Sequence, residues 1–361
     1  MSEQEAPDRP VPPDRVRTTH VTLDAVAREA GVSLATASRA LNGTTRVRDD
    51  LRERVRTAAG RLGYIPNAHA QVLAGAGSNR TVGVICHDVS DPYFAGVASG
   101  VMRAAAEQGL LVMLASTFRE PSREIAYVSM LRAQRARAIL LIGSGFQDRE
   151  WERAMDAELA PYVRVGGRVA VVSRHRSLRV DTVQPENRSG AAALARSLVA
   201  LGHRRFAVLT GPPSLTTVSD RLAGFREGLA EAGIALEVVV EGAFTREGGH
   251  EAARRLLARE GPRPTCVFAV TDVMAVGALA ALREEGLEVP GDMSLAGFDD
   301  IPLVRELSPP LTTVALPLTA MGESVIALAL REPGGGQHRS RVVRIEGEVV
   351  LRASTGRPPA G

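Results

Sequence analysis

No lysine occurs in this chain of 361 residues; all 44 cationic side chains are arginines, set against 41 acids. Guanidinium groups suit bidentate contacts to phosphate and guanine, but a lysine-free chain reads first as a bias of coding composition. Cysteine is almost as scarce. Cys86 and Cys266 stand far apart in apolar runs, without zinc-ligand spacing, and read as small buried hydrophobes of a reducing cytosol. Long hydrophobic runs are missing: stretches such as 138–142 are far too short to span a bilayer, and the acidic N-terminus has no apolar core of a secretory signal. The expected location is therefore cytoplasmic, with no membrane partner. A Gly-rich phosphate loop, a nucleophile elbow and clustered histidines are all lacking, so no enzyme, cofactor or metal site is expected.

What is present is apolar material for two or three real cores, at 45% hydrophobic residues. The charge is unevenly spread. Residues 1–19 carry three Arg against four acids, residues 20–80 nine Arg against five acids, and residues 81–361 carry 32 of each. All the excess positive charge thus lies in one short segment, the electrostatic footprint of a nucleic-acid-binding module joined to a neutral domain.

Residues 1–19 are proline-bearing and aperiodic, and read as a disordered arm. Residues 20–66 hold three short amphipathic helical patterns. Residues 67–79 offer one more short helix, then the linker composition Gly75-Ala76-Gly77-Ser78-Asn79. From Thr81 the texture changes to nine apolar strand-like runs alternating with helical stretches, many closed by Gly (Gly109, Gly202, Gly233, Gly286). Continuously apolar strands alternating with helices signal parallel α/β sheets buried on both faces. Nine strands exceed one modest sheet. The expectation is two doubly wound parallel-sheet subdomains over 80–355, with a ligand cleft between them and a short tail over 356–361.

In the first module, Leu23, Val26, Ala27 and Ala30 give helix one an apolar face, with Thr22 as its N-cap. Gly31 permits a sharp turn, and Ser33 caps a second helix over 34–41 with Ala37, Ala40 and Leu41 inward. This is helix-turn-helix geometry, whose second helix enters a major groove. Its outward residues are then Leu34, Ala35, Thr36, Ser38 and Arg39. Arg39 can offer two donors to guanine O6 and N7, while Leu34 and Ala35 can touch base edges. Ser33, Thr36, Ser38 and Asn42 suit phosphates. The alternative is a three-helix bundle with a merely solvated polar face. A third helix is expected over 49–62. Tyr64 beyond it reads equally as a phosphate contact or a core aromatic.

The stretch 21–42 resembles the DNA-binding headpiece of the lactose-repressor (LacI/GalR) family of bacterial transcription regulators. The resemblance extends through Gly63-Tyr64-Ile65-Pro66-Asn67-Ala68, Asp91-Pro92-Tyr93-Phe94, Gly202-His203-Arg204-Arg205-Phe206 and Asp220-Arg221-Leu222-Ala223-Gly224-Phe225. Gly297-Phe298-Asp299-Asp300 and Pro310-Leu311-Thr312-Thr313-Val314 complete it, in family order over about 20–352. The resemblance implies an N-terminal all-α helix-turn-helix headpiece plus an α/β periplasmic-binding-protein-like (type I) domain. It implies a homodimer on double-stranded DNA with a pseudo-palindromic operator. It also implies a hinge helix over 67–74, with Asn67 at its start and Leu73 as the leucine wedged into the minor groove.

For the larger domain the resemblance implies effector contacts from Tyr93, Phe94, Arg221, Phe244, Thr271, Asp272 and Asp299, which fit the rule that ligands bind at strand carboxyl ends. Their chemistry suits a sugar-like polyol, although Asp299 taken alone reads as readily as a structural cap. The first subdomain is expected over 80–180 plus 314–335, the second over 181–310 plus the C-terminal strands. Three positions depart from the family pattern. Arg48 replaces a capping Ser, so Asp49 is expected to cap helix three. Glu186 replaces a frequent Asp. Leu215 replaces a polar residue of purine sensors, which argues against a purine effector. The C-terminus shows no heptad leucines for a tetramer. The function expected is a sequence-specific transcription regulator, read as a repressor, under control of a sugar or sugar derivative. A transport-type solute-binding protein is the competing reading, disfavoured by the missing signal and the attached headpiece.

Overall fold

A computed structural model describes residues 21–42, 47–64, 80–175, 178–332 and 340–359. The chain forms two compact units, Met1–Asn79 and Arg80–Gly361. The expected arm over 1–19 and hinge segment over 67–79, with Asn67 and Leu73, lie outside the described residues.

The first unit holds α1 (Leu23–Glu29), α2 (Leu34–Asn42) and α3 (Asp49–Leu62). Its start signals work as the sequence predicts. Thr22 Oγ1 accepts from the Ala25 amide at 3.3 Å, and Ser33 Oγ from the Thr36 amide at 3.2 Å, each quenching an orphan donor of a first turn. Between α1 and α2, Gly31 takes φ +62°, a left-handed conformation that costs glycine little. Val26, Ala27, Ala37, Ala40, Val55 and Ala58 are buried in its core, with small Ala27 on α1 and Ala37 on α2 letting those helices approach closely. Helix α3 departs from expectation. Arg48, not Asp49, occupies its N-cap position and makes no capping bond there. The helix runs over Asp49–Leu62 as expected, so Asp49 is already its first helical residue and cannot be its cap, and Arg48 donates to Asp50 at 3.0 and 2.7 Å. Tyr64 packs half-buried against the three-helix core.

The second unit begins with β1 (Thr81–Cys86), α4 (Pro92–Glu107), β2 (Leu111–Ser116), α5 (Pro121–Ala133), β3 (Ala138–Ile142), α6 (Arg149–Arg164), β4 (Arg168–Val172) and β5 (Asp181–Pro185). It continues through α7 (Asn187–Ala200), β6 (Phe206–Thr210), α8 (Thr216–Ala230), β7 (Val238–Glu241), α9 (Arg246–Leu257), β8 (Cys266–Ala269), α10 (Asp272–Glu284) and β9 (Ser294–Ala296). A 3-10 turn (Pro302–Arg305), β10 (Thr313–Ala315), α11 (Leu318–Leu330), β11 (Val342–Ile345) and β12 (Glu348–Val350) complete it. All nine expected strands form. Strands β11-β5-β4-β3-β1-β2 make one parallel sheet and β7-β6-β8-β9 another, while β10 and β12 pair antiparallel. Central strands such as β3 and β6 are buried along their whole length, which is why their apolar runs are unbroken.

The division into lobes differs from expectation. Strand β5 was expected in the second lobe, but it pairs with β4 in the first, with Ala170 opposite Asp181, and β11 joins it at the edge. A side-chain anchor holds β11 at that edge. The buried Asp181 carboxylate accepts the Arg341 amide at 2.8 Å, tying the C-terminal strand to β5. The chain crosses between lobes three times, after β5, after β10 and after β11. Both cysteines are buried and free. Among the described residues, no helix is long and apolar enough to cross a membrane.

Candidate functional site

The headpiece presents one continuous exposed face on α2. Ser33, Leu34, Ala35 and Arg39 are exposed there, and Thr36 and Ser38 half-exposed, while Ala37 and Ala40 point into the core. Leu34 stands half out of the fold, where nothing in the headpiece core covers it. Arg39 Nε donates to the Ala35 carbonyl at 3.1 Å, which lays its stem along the helix. Asn42 closes α2, and its side chain lies outside the described residues. Thr22 faces the first turn of α1 as its cap.

In the second unit a narrow cavity of about 20 Å³ lies between the lobes at the carboxyl ends of both sheets. Six of the seven expected residues line it: Tyr93, Phe94, Arg221, Phe244, Thr271 and Asp299. Five arrive from the junctions that follow strands, and Arg221 from the second turn of α8. Tyr93 and Phe94 sit on the first turn of α4, whose N-cap Asp91 accepts the Tyr93 amide at 3.0 Å. Thr271 caps α10 through Met274. Phe244 reaches the wall because Gly211 has no Cβ, which would collide with its ring.

At the centre Arg221 is almost wholly buried, and its donors are committed. Nη2 donates to Asp299 Oδ1 at 2.6 Å, Nη1 to the Val270 carbonyl at 2.7 Å, and Nε to Asn187 Oδ1 at 2.9 Å. Its guanidinium carbon lies 3.9 Å from the Phe298 ring centroid. Burial pushes the Asp299 carboxyl up to about 6, with the charge and hydrogen bonds of Arg221 pulling the other way. Burial also raises the Tyr93 phenol, which stays protonated and able to donate. The lining thus sets a paired charge beside hydroxyls and three aromatic faces, groups whose chemistry matches the polar edges and C–H surface of a neutral, hydroxyl-rich molecule, around a space that in this closed arrangement is about one water in size.

Asp272 is not in the lining. Its carboxylate is wholly buried, accepting the Thr313 hydroxyl at 2.7 Å and the Ile301 amide at 2.9 Å. Burial and the neighbouring Asp299 push its carboxyl up to about 7. It pins α10 to the crossover strand β10. His203, the histidine of a quoted family motif, is likewise internal, its Nε2 donating to the Gly356 carbonyl at 2.9 Å.

Five further residues that the sequence does not mark as contacts line the cavity: Asp91, Gly143, Ser144, Ser173 and Thr217. The strand-end rule alone reaches Gly143, Ser144 and Ser173, which directly follow β3 and β4. Backbone strain marks the same region. Among the described residues, six non-glycine residues have positive φ, and five of them (Phe118, Arg119, Ser173, Asp299 and Asp300) lie in loops at strand carboxyl ends. Such strain persists where surrounding structure over-determines it.

Behind Ser144, the buried His87 donates through Nε2 to the Ser144 carbonyl at 3.2 Å, and its ring stacks on Phe94 at 5.7 Å. Burial lowers His87 to about 3, so it is neutral. The lobes meet beside the cavity. Phe146 and Leu215 form a β-bridge, with the Gln147 amide donating to Ser214 at 2.8 Å and the Thr216 amide to Gly145 at 3.0 Å. Trp151 packs on Phe146 at 5.4 Å and stacks on His175 at 5.9 Å.

Comparison with known proteins agrees with this arrangement. Residues 22–67 match the model of bacterial regulatory proteins of the lacI family, and residues 195–355 that of the periplasmic binding protein-like domain. The HTH-type transcriptional regulator DegA of Bacillus subtilis is 32% identical across 92% of this chain and 98% of its own. The lac repressor dimer bound to operator and the anti-inducer ONPF superposes with TM-score 0.77 at 28% identity, covering 93% of this chain and 99% of the repressor chain. A CelR–cellobiose complex superposes with TM-score 0.66 at 30% identity, covering 92% and 99%. The chain is therefore a member of the LacI family of DNA-binding transcription regulators, a helix-turn-helix headpiece joined to a periplasmic-binding-protein-like sensor.

Proposed function

We propose that α2 reads operator DNA through Arg39, Leu34 and Ala35, with Thr22, Ser33, Thr36, Ser38, Asn42, Tyr64 and Asn67 on phosphates and Leu73 as a minor-groove wedge. The cavity takes a small neutral sugar or sugar derivative that sets operator affinity, and the chain acts in the cytoplasm as a repressor. The observation that carries the ligand reading is the buried Arg221–Asp299 pair lining the same cleft between the lobes as Tyr93, Phe94 and Phe244. A relative in complex with cellobiose supports a sugar class. The control is thermodynamic: a ligand shifts DNA affinity only by its differential affinity for two states, typically about 1–3 kcal/mol.

A homodimer is part of this proposal. Strand β2 is a sheet edge and exposes Leu111 at 64%, with Met113 and Leu114 also exposed. An open apolar edge calls for a covering surface, and the lac repressor neighbour is a dimer. Selection from a duplex library tests the DNA reading: a palindromic site of roughly 14–20 base pairs, with affinity falling steeply with salt, is expected. Thermal-shift titration with cellobiose, ribose and other neutral sugars tests the ligand reading, since binding raises apparent stability by mass action. No preference for any duplex, or no response to any neutral sugar, would overturn the corresponding half.

A further inference from the structure

Arg119 follows β2 in the first lobe, and Phe244 follows β7 in the second. The Arg119 guanidinium carbon lies 5.3 Å from the centroid of the Phe244 ring. The same group faces Asp91 of the cavity wall, Nη2 to Oδ2 at 3.7 Å, with side-chain exposures of only 18% and 12%. Both of its partners line the cavity, although Arg119 itself does not.

The placement is held by the backbone on both sides. Phe118 and Arg119 take φ +53° and +60° in succession, a conformation unfavourable for side-chain-bearing residues. It is fixed by three amide bonds: Thr117 to the Cys86 carbonyl, Phe118 to that of His87, and Glu120 to that of Thr117. Phe118 points outward, 58% exposed, so its own packing does not explain the turn. The product of the turn is the direction of Arg119. On the other side, Gly211 clears the space that the Phe244 ring fills.

A cation over an aromatic face is worth most when both are withdrawn from water, as here. The contact joins elements of opposite lobes and exists only while they are together. We propose that Arg119 is a positioning residue that clamps the cavity shut, holding the Phe244 ring and the Asp91 carboxylate against the bound effector. This deepens the ligand reading above and rests on it for its purpose. The geometry makes a second demand on the residue. It must be cationic to face Asp91 and flat enough to lie on the ring, which arginine satisfies and a neutral residue does not.

Spin labels at Asp156→Cys on α6 and Glu251→Cys on α9, both exposed positions, report lobe separation, the native cysteines being buried. In full-length ligand-free protein, Arg119→Ala and Arg119→Gln should each lower the short-distance, closed population about five- to tenfold, and Arg119→Lys should restore part of it. Phe244→Leu should give a similar loss, and adding Arg119→Gln to it should cost little more, because the two act as one contact. A closed population unchanged in Arg119→Gln, or losses that simply add in the double variant, overturns the clamp. Neither outcome depends on a sugar or on DNA, so failure here leaves the ligand reading standing, and failure of sugars to bind leaves this measurement intact.

Discussion

Arg221 and Asp299, which come from the first turns of α8 and from the loop after β9, meet as a fully buried, two-bond ion pair. Such a pair gains little net stability when made but costs heavily when half of it is removed. Arg221→Ala should therefore destabilise the sensor by about 3–5 kcal/mol in urea unfolding, and should abolish any sugar-induced thermal shift while the headpiece keeps its DNA affinity. Adding Asp299→Leu should recover much of the stability and none of the shift. A single variant that unfolds like wild type would show that Asp299 finds another partner.

Glu124 on α5 gives a pH prediction. It is buried, and burial pushes its carboxyl up to about 8; the Trp151 indole faces it without closing a well-formed hydrogen bond. The folded protein therefore keeps this proton through a range where the unfolded chain has lost it. Because the native state binds more protons, the group's contribution to stability declines as pH rises from about 4.5 to about 8, then levels off. Glu124→Gln should melt like wild type near pH 5 and increasingly above it towards pH 8. A difference in melting temperature that does not vary with pH would contradict this origin.

Arg39 tests base reading. Its exposed guanidinium should offer two donors to one guanine, so Arg39→Ala should weaken specific binding by about 1–3 kcal/mol and blur one operator position. Equal loss on operator and random DNA, measured by competition titration, would assign it to the phosphates instead.

Leu73 lies outside the described residues, and the wedge assigned to it makes a mechanical prediction. Leu73→Ala should reduce operator bending in a gel-phasing or energy-transfer assay, because an apolar wedge offsets the cost of unstacking a base step. Unchanged bending would remove the assignment.

Local signals carried the headpiece. Thr22, Gly31 and Ser33 act within four residues of themselves, so reading them in order is enough. The nine strands were equally plain, because a strand buried on both faces must be apolar throughout. The lobe membership of β5 and β11 was not, since it depends on β5 pairing with β4 and on Asp181 meeting Arg341 across a long stretch of sequence. The cavity shows the same divide. Aromatic and charged residues at strand ends announce themselves, whereas Gly143, Ser144 and Ser173 take part by position alone. Asp272 shows the converse: a carboxylate beside lining residue Thr271 whose oxygens serve the fold. Arg119 could not be found from its neighbours in sequence, because its partner Phe244 belongs to the other lobe.

The chain has one tryptophan, and the fold has placed it at an informative address. Trp151 touches Phe146, the first-lobe half of the bridge to Leu215, and lies flat on a neutral imidazole. A parting of the lobes that breaks the bridge to Leu215 uncovers the cluster around this indole, so the unlabelled protein should announce its own opening as a change in ultraviolet emission, with no other indole to dilute the signal.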